Sequence, residues 1–281
     1  MKPPSNLLAV LTVLLLWFAA AAQTYPATSE DELQQGVEAY KHSHYDEAIQ
    51  HFEKAVDLDG ANLKARLYLA TACASQYIPG VDTPDNLRFA ENTIAQYQRL
   101  LDADADRNSK INSAKGIGYL YLNMKKFADS KKYYQIASDL DPDDPEPHYS
   151  IGVIDWTECY APRMEARAQL GLRPEGHLNP KYEEQRKVCD ELAAKNEPAI
   201  EEGIDSLNKA IQLRPDYDDA MAYMNLMYRE KADVECDDPA ARANDLKIAD
   251  AWVDKTLAVK KAKSEKAGAQ PADPAMVGVR R

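Results

Sequence analysis

Small and apolar residues recur along this chain at helical spacing, in pairs of short segments. Between Ile111 and Asp144, residues Ala114, Ile117, Gly118 and Tyr121 fall at i, i+3, i+4 and i+7, which predicts one face of a helix. Lys125, Lys126 and Phe127 carry a turn, and Ser130, Tyr134, Ala137 and Leu140 predict the face of a second helix. Asp141-Pro142 closes it, because the residue before a proline is driven out of the α region. Gly118, Ser130 and Ala137 mark where the two axes approach closely, and Tyr121, Phe127 and Tyr134 fill the space beside them. A hairpin this short cannot bury its apolar face alone, so it must stack on copies of itself.

The same spacing returns from Ser29 to Asn62 with Gly36, Tyr40, Tyr45, Ala48, Phe52 and Ala55. Both stretches resemble the tetratricopeptide repeat, a 34-residue helix pair. Its small residues stand at the eighth, twentieth and twenty-seventh places, with a bulky aromatic near the twenty-fourth and proline near the thirty-second. Gly118, Ser130, Tyr134, Ala137 and Pro142 match in one copy; Gly36, Ala48, Phe52 and Ala55 match in the other, with Gly60 in the proline's place. The resemblance implies an all-α, right-handed superhelical solenoid of about five antiparallel helix pairs, with one large insertion. Its repeats lie near 29–62, 63–104, 111–144, 145–217 (interrupted by an insertion over 157–197) and 218–260.

The less regular repeats are read from local signals. Leu67, Ala70 and Ala74 mark one first helix; Asp82 or Thr83 caps its partner, with Pro84 in the first turn. In the fourth repeat His148, Ile151, Gly152 and Asp155 keep the first-helix spacing, but the partner face of Gly203, Leu207 and Ala210 arrives about forty residues late. The first helix is expected to run through Trp156 toward Leu170 and stop at Gly171. Asn179-Pro180 is expected to open a separate helix over Tyr182–Lys195, and Asn196 with Pro198 to restart the chain as the repeat's second helix. This insertion is the place to look for a function private to this chain. In the fifth pair Met221, Met224 and Tyr228 keep the face while Asn225 replaces the small residue, and Ala240 to about Lys260 reads as a capping helix. Residues 261–281, poor in bulky apolar side chains, are expected to be disordered.

Residues 1–22 read as a cleavable signal peptide: Lys2, an apolar run from Leu7, and Ala20-Ala21-Ala22 as small residues before the cut. The run from Leu7 to Ala22, sixteen residues and apolar except for Thr12, is short for a span, which needs about 20; the alternative is an uncleaved anchor. The mature chain, with a short lead over 23–28, would then be periplasmic or secreted by a bacterium. It carries no further membrane span.

With 34 Lys and Arg against 46 Asp and Glu, the net charge is −12, which argues against nucleic acid as a partner. It also argues against docking on anionic lipid. No phosphate loop, nucleophile elbow or metal-hydrolase helix occurs, so neither a catalytic set nor a cofactor is assigned. Asp102, Asp104 and Asp106 have calcium-loop spacing, but Arg107 and Ser113 stand where a glycine and a bidentate glutamate belong. His42, His44 and His51 match no standard metal motif. No metal site is assigned. Among the four cysteines, Cys73 reads as packing, while Cys159 and Cys189 flank the insertion and form the candidate disulfide.

In the tetratricopeptide family the first helices line a concave surface that holds a peptide. By resemblance the inward positions here are Tyr40, Tyr68, Asn112, Tyr119, Asn123, Tyr149, Trp156, Tyr223 and Arg229. Tyrosine dominates them, offering rigid contact area and one hydroxyl. The family's basic clamp for a C-terminal carboxylate is largely missing. The expectation is a non-catalytic scaffold or assembly factor of the cell envelope, binding another protein or peptide. The alternative is a glycan or cell-wall fragment stacked on the same aromatic faces.

Overall fold

The computed structural model describes residues 26–174 and 176–269. The predicted signal peptide and the tail beyond 269 lie outside the described residues. Among the described residues ten helices follow in sequential antiparallel pairs, an all-α arrangement of tetratricopeptide type. They are α1 (Ser29–Lys41), α2 (Tyr45–Leu58), α3 (Leu63–Gln76), α4 (Pro84–Asp102), α5 (Arg107–Asn123), α6 (Phe127–Leu140), α7 (Pro145–Gln169), α8 (Glu183–Leu213), α9 (Asp218–Val234) and α10 (Pro239–Ala269). Each packs on the next in sequence, and α7 also touches α9.

Local chemistry sets most of the helix ends. Thr28 and Asp31 form a capping box on α1, and Asn62, Thr83, Asp106 and Asp144 accept main-chain N–H groups at the starts of α3, α4, α5 and α7. The run of alternating aspartates therefore ends as a helix cap. At the other ends, α1, α5 and α7 share one turn. His42, Met124 and Leu170 are C-caps, and the next residues, Ser43, Lys125 and Gly171, take φ of 61°, 57° and 65°. The following amides return to Ala39, Tyr121 and Arg167 carbonyls at 2.8–2.9 Å. This is the left-handed helix stop that glycine favours, and Ser43 and Lys125 adopt it against their own preference.

Inside each regular pair a glycine of the first helix meets a large side chain of the second. A Cβ added at Gly36 would stand 2.5 Å from the Phe52 ring, at Gly118 2.9 Å from Tyr134, and at Gly152 2.5 Å from Leu207. Phe52 and Leu207 are fully buried as a result. The first core gathers Leu33, Ile49, Phe52 and Leu69 from α1, α2 and α3; the largest of the later clusters joins Ile200, Leu207, Met224 and Met227 from α8 and α9.

Three expectations are corrected by the structure. First, the chain does not restart at Asn196: α8 is one helix from Glu183 to Leu213, with Pro198 inside it, as Pro162 is inside α7. A mid-helix proline costs about 3 kcal/mol. Packing of α7 along α8 outweighs it, and a cross-link helps: Asn196 Nδ2 donates to the Cys159 carbonyl at 3.3 Å. Asn179-Pro180 lies in the connection ahead of α8, where the Asn179 side chain accepts from the Lys181 amide. Second, the disulfide joins Cys189 to Cys236, and Cys159 is a free, buried thiol. In the antiparallel pair Cys159 is level with Asn196, two helical turns past Cys189. Cys189 instead faces the α9–α10 connection, where its Cα lies 5.8 Å from that of Cys236. Third, residues 261–269 continue α10 as helix, tied back by Lys263 to Asp218 at 2.6 Å.

The glycine contacts make a direct prediction. In an open helix, glycine to alanine would stabilise by about 1 kcal/mol. Gly36→Ala is expected to lower stability by about 1–3 kcal/mol through overpacking against Phe52. Urea denaturation measures it, and Phe52→Leu in the same chain should recover part of the loss. A raised midpoint for Gly36→Ala would mean that the ring does not press on the helix.

Candidate functional site

Tyr149 and Trp156 lie two turns apart on one face of α7, and Tyr223 of α9 fits between them. Its ring meets Tyr149 edge-on at 5.7 Å and Trp156 edge-on at 5.5 Å. Tyr217 extends this tract at one end, 4.9 Å from Tyr149, and Tyr160 at the other, 4.9 Å from Trp156. Arg214 caps the Tyr217 ring and Arg163 the Tyr160 ring. Tyr217 is 9% exposed and Tyr160 39%, so the tract runs from the core outward. Burial holds the phenols of Tyr149 and Tyr223 above the ordinary tyrosine value, so both are neutral hydroxyls that donate and accept.

The nine positions expected to line a groove lie on α1, α3, α5, α7 and α9. Tyr149, Trp156 and Tyr223 come together in the tract. Tyr40 packs edge-on to Tyr45, and Tyr68 stacks on Phe52 at 5.5 Å, both against the first core. Asn112 is exposed, Tyr119 is 49% exposed, and Asn123 donates to the Tyr119 carbonyl. Arg229 is held by Asn225 and by Asp250 at 2.8 Å. Sequence reasoning missed Tyr160 and Tyr217. Tyr160 was within reach, one turn past Trp156; Tyr217 precedes α9 and shows no periodicity.

The cations of this region are already engaged. Lys115 pairs with Asp144 and Glu146, and Arg229 with Asp250. Arg163 lies 2.8 Å from Glu230 and 3.0 Å from Asp233, and Arg167 2.8 Å from Asp233. The Arg163–Glu230 contact is close but lacks hydrogen-bond alignment, since Arg163 Nε and both Glu230 oxygens lack partners. Arg214, stacked on the Tyr217 ring at one end of the tract, is an exception, in no ion pair among the described residues.

A cleft of about 980 Å³ opens on the other side of α7. It exists because α7 and α8 continue past the level of the α5–α6 turn. Leu122, Asn123 and Phe127 line it from that turn, Pro79 and Gly80 from the α3–α4 loop, and Cys159, Pro162, Asn196 and Pro198 from the long pair. Beside it Lys131 binds Asp155 at 2.6 Å, Glu158 at 3.1 Å and Glu202 at 2.9 Å. Burial would lower the Lys131 value, but its hydrogen bonds to Asp155 and Glu202 outweigh this and raise it. Burial pushes the Asp155 carboxyl up to about 7 against the pull of Lys131. The two shifts point opposite ways for the pair. The rise of Asp155 decides, because it is 0% exposed and shares one ammonium with two glutamates. Burial likewise pushes Glu230 up to about 7. The thiols of Cys73 and Cys159 are pushed up to about 12 by burial, so neither is a nucleophile. No metal-ligating group of His, Cys, Asp and Glu forms among the described residues. His51 instead meets Glu32 at 2.6 Å.

Comparison with known proteins places these features on a repeat scaffold. Residues 33–80 and 116–144 each match a family model described as tetratricopeptide repeat. No curated protein matches the chain. A crystal structure of MamA protein aligns with TM-score 0.56 at 13% identity, over 88% of this chain and 98% of that one. MamA 41-end from Desulfovibrio magneticus RS-1 aligns at 0.52 and 12% identity, over 83% and 96%. YrrB, described as a TPR protein with an unusual peptide-binding site, aligns at 0.50 and 12% identity, over 84% and 92%. At these identities the likeness is one of fold.

Asp155 and Glu230 give a pH dependence of defined sign. Each keeps its proton in the folded chain up to about pH 7, whereas the unfolded chain loses it near pH 4. The unfolded state therefore binds fewer protons between those limits, and these groups make stability fall as pH rises from about 4 to 7. Thermal melts at pH 5 and pH 8 of the parent, Asp155→Asn and Glu230→Gln are the measurement. The drop in melting temperature should be smaller in either variant. An unchanged drop would show both carboxylates ionised throughout.

Proposed function

We propose that this chain, a tetratricopeptide-repeat protein, is a non-catalytic scaffold that holds a protein or peptide along the Tyr149–Tyr223–Trp156–Tyr160 tract. The single observation that carries this reading is the tract itself: contiguous aromatic rings on α7 and α9 that run from buried to exposed, with neutral hydroxyls. Peptide binding is described for YrrB, which shares the fold, and repeat proteins of this kind act in general as binding scaffolds. The net charge of −12 favours a basic partner through steering. A peptide suits the tract better than a glycan. Sugar rings need open aromatic faces, and here Trp156 is met by Tyr223 on one side and Tyr160 on another.

We place the protein in the bacterial cell envelope, exported by residues 1–22 and acting there as a scaffold or assembly factor. The Cys189–Cys236 bridge supports export, since such bonds persist in oxidising compartments.

Two experiments test these statements. In the first, mature protein and a Tyr160→Ala version are crosslinked in native envelope, after circular dichroism shows equal helicity. Recovery of a protein partner should fall about tenfold, the loss of one hot-spot contact. Equal recovery would move binding away from the tract. In the second, protein drawn from cells is alkylated after denaturation without reductant. Cys73 and Cys159 should react, while Cys189 and Cys236 react only once reduced. Four reactive thiols without reductant would place the chain in a reducing compartment.

A further inference from the structure

We propose that the cleft beside α7 and α8 is a second binding site, taking an extended apolar segment of a partner protein with acidic residues at its flanks. It shares no side chain with the aromatic tract and goes beyond that reading. Two departures from the regular repeat build the cleft. Residues 77–83 connect α3 to α4, where 42–44 and 124–126 suffice in the regular pairs, and α7 and α8 run on past the α5–α6 turn. Pro79 and Gly80 come from the first departure, and Pro162, Pro198 and Ala199 from the second. Leu122 and Phe127, which flank the α5–α6 turn, add to the apolar wall. The volume of about 980 Å³ falls within the range of roughly 300–1,000 Å³ usual for ligand sites. The loop wall is fixed by Asn86, which is 5% exposed. It accepts from the Ile78 amide at 2.7 Å and donates to the Ile78 and Val81 carbonyls at 2.8 and 2.7 Å. Ile78 and Val81, on either side of Pro79-Gly80, are thereby left 59% and 37% exposed. Apolar surface held open beside an apolar cleft marks a place for a partner's apolar side chains.

Charge sets the flanks of the occupant. Lys131 spends its three N–H groups on Asp155, Glu158 and Glu202, so both glutamates that line the cleft are already paired. Lys125 and Lys195 also line it, are exposed, and have no ion-pair partner among the described residues. Lys125 stands there at φ 57°, in a helix stop where glycine is the ordinary choice. The charge left over at the cleft is positive, and carboxylates flanking an apolar segment complement it. One main-chain acceptor selects an extended peptide. Pro162 brings no N–H to the Glu158 carbonyl, and both residues line the cleft. An extended chain has amides free to donate there, whereas the interior of a helix has spent them and a fatty acid has none.

The test uses the mature chain at about 0.15 M salt, where fields between exposed charges fade beyond about 8 Å. Long-range repulsion of an acidic peptide by the net charge of −12 is damped there. Acetyl-Glu-Leu-Val-Leu-Glu-amide is titrated beside its glutamine isostere, a version with serines in place of the apolar residues, and decanoate. Binding is followed by amide NMR shifts. The glutamate peptide should move amides over 78–81, 122–127, 157–161 and 195–199. The glutamine peptide should bind about fivefold more weakly, the worth of two exposed ion pairs. The serine peptide should not bind up to about 10 mM. Lys125→Gly with Lys195→Gln should bring the glutamate peptide to the level of the glutamine one with helicity unchanged, since glycine suits the turn at 125. Tyr160→Ala should leave binding unchanged, so failure here is separable from failure at the tract. The proposal is overturned if glutamine serves as well as glutamate, if the serine peptide keeps the affinity, or if the shifts fall on the tract. It also falls if decanoate binds as tightly at the same amides, or if the glutamate peptide shows no binding up to about 10 mM.

Discussion

The solenoid depends on one close approach, a bare backbone in a first helix pressed by a large side chain of its partner. Gly36 under Phe52, Gly118 under Tyr134 and Gly152 under Leu207 are three instances. The contact brings two helix axes together and fixes their rotation, so the remaining apolar residues of each pair face its neighbours. Stacking then follows, with each helix resting on the next. Where the glycine is absent the pair is held by other means. Asn225 in α9 takes that place, and its side chain braces Arg229 toward α10.

This contact is also why the regular repeats were legible in the sequence. A glycine, an aromatic and two small residues at fixed spacing carry the geometry of the whole pair. The long pair α7–α8 was less legible, because its determinants are not local. Pro198 reads as a helix boundary to any local rule, yet α8 passes through it, held by α7 along its length. Cys159 and Cys189 look matched on the page because they flank the same connection. In space the antiparallel pairing puts Cys159 level with Asn196 and leaves Cys189 to a loop forty-seven residues away. The end of α10 was misread for a similar reason. Its alanines and lysines make no apolar face, but Lys263 finds Asp218 at the start of α9.

The site divides in the same way. Tyr149 and Trp156 share a helix face, and that periodicity announced them. Tyr223 joined them because α9 is the next first helix. Tyr40 and Tyr68 obey the same spacing but belong to the first core, and only contact with Phe52 and Tyr45 distinguishes the two cases. The cleft was not legible at all. It is a space left where two helices outrun their neighbours, and no residue type marks a space. Its charges, too, have meaning only together: Lys131, Asp155, Glu158 and Glu202 come from three helices.

The Cys189–Cys236 bridge has a mechanical consequence. A chain of stacked hairpins, pulled at one end, unravels one helix after another, since each is held only by its neighbours. Tension on α10 would first peel that helix away and then arrive at Cys236. There the load passes through sulfur into the second turn of α8, and α9 hangs slack inside the closed loop. The aromatic tract, to which α9 contributes Tyr223, would keep its shape while the end of the protein is under strain. A scaffold anchored by its C-terminal helix to something that moves would hold its cargo through the pull.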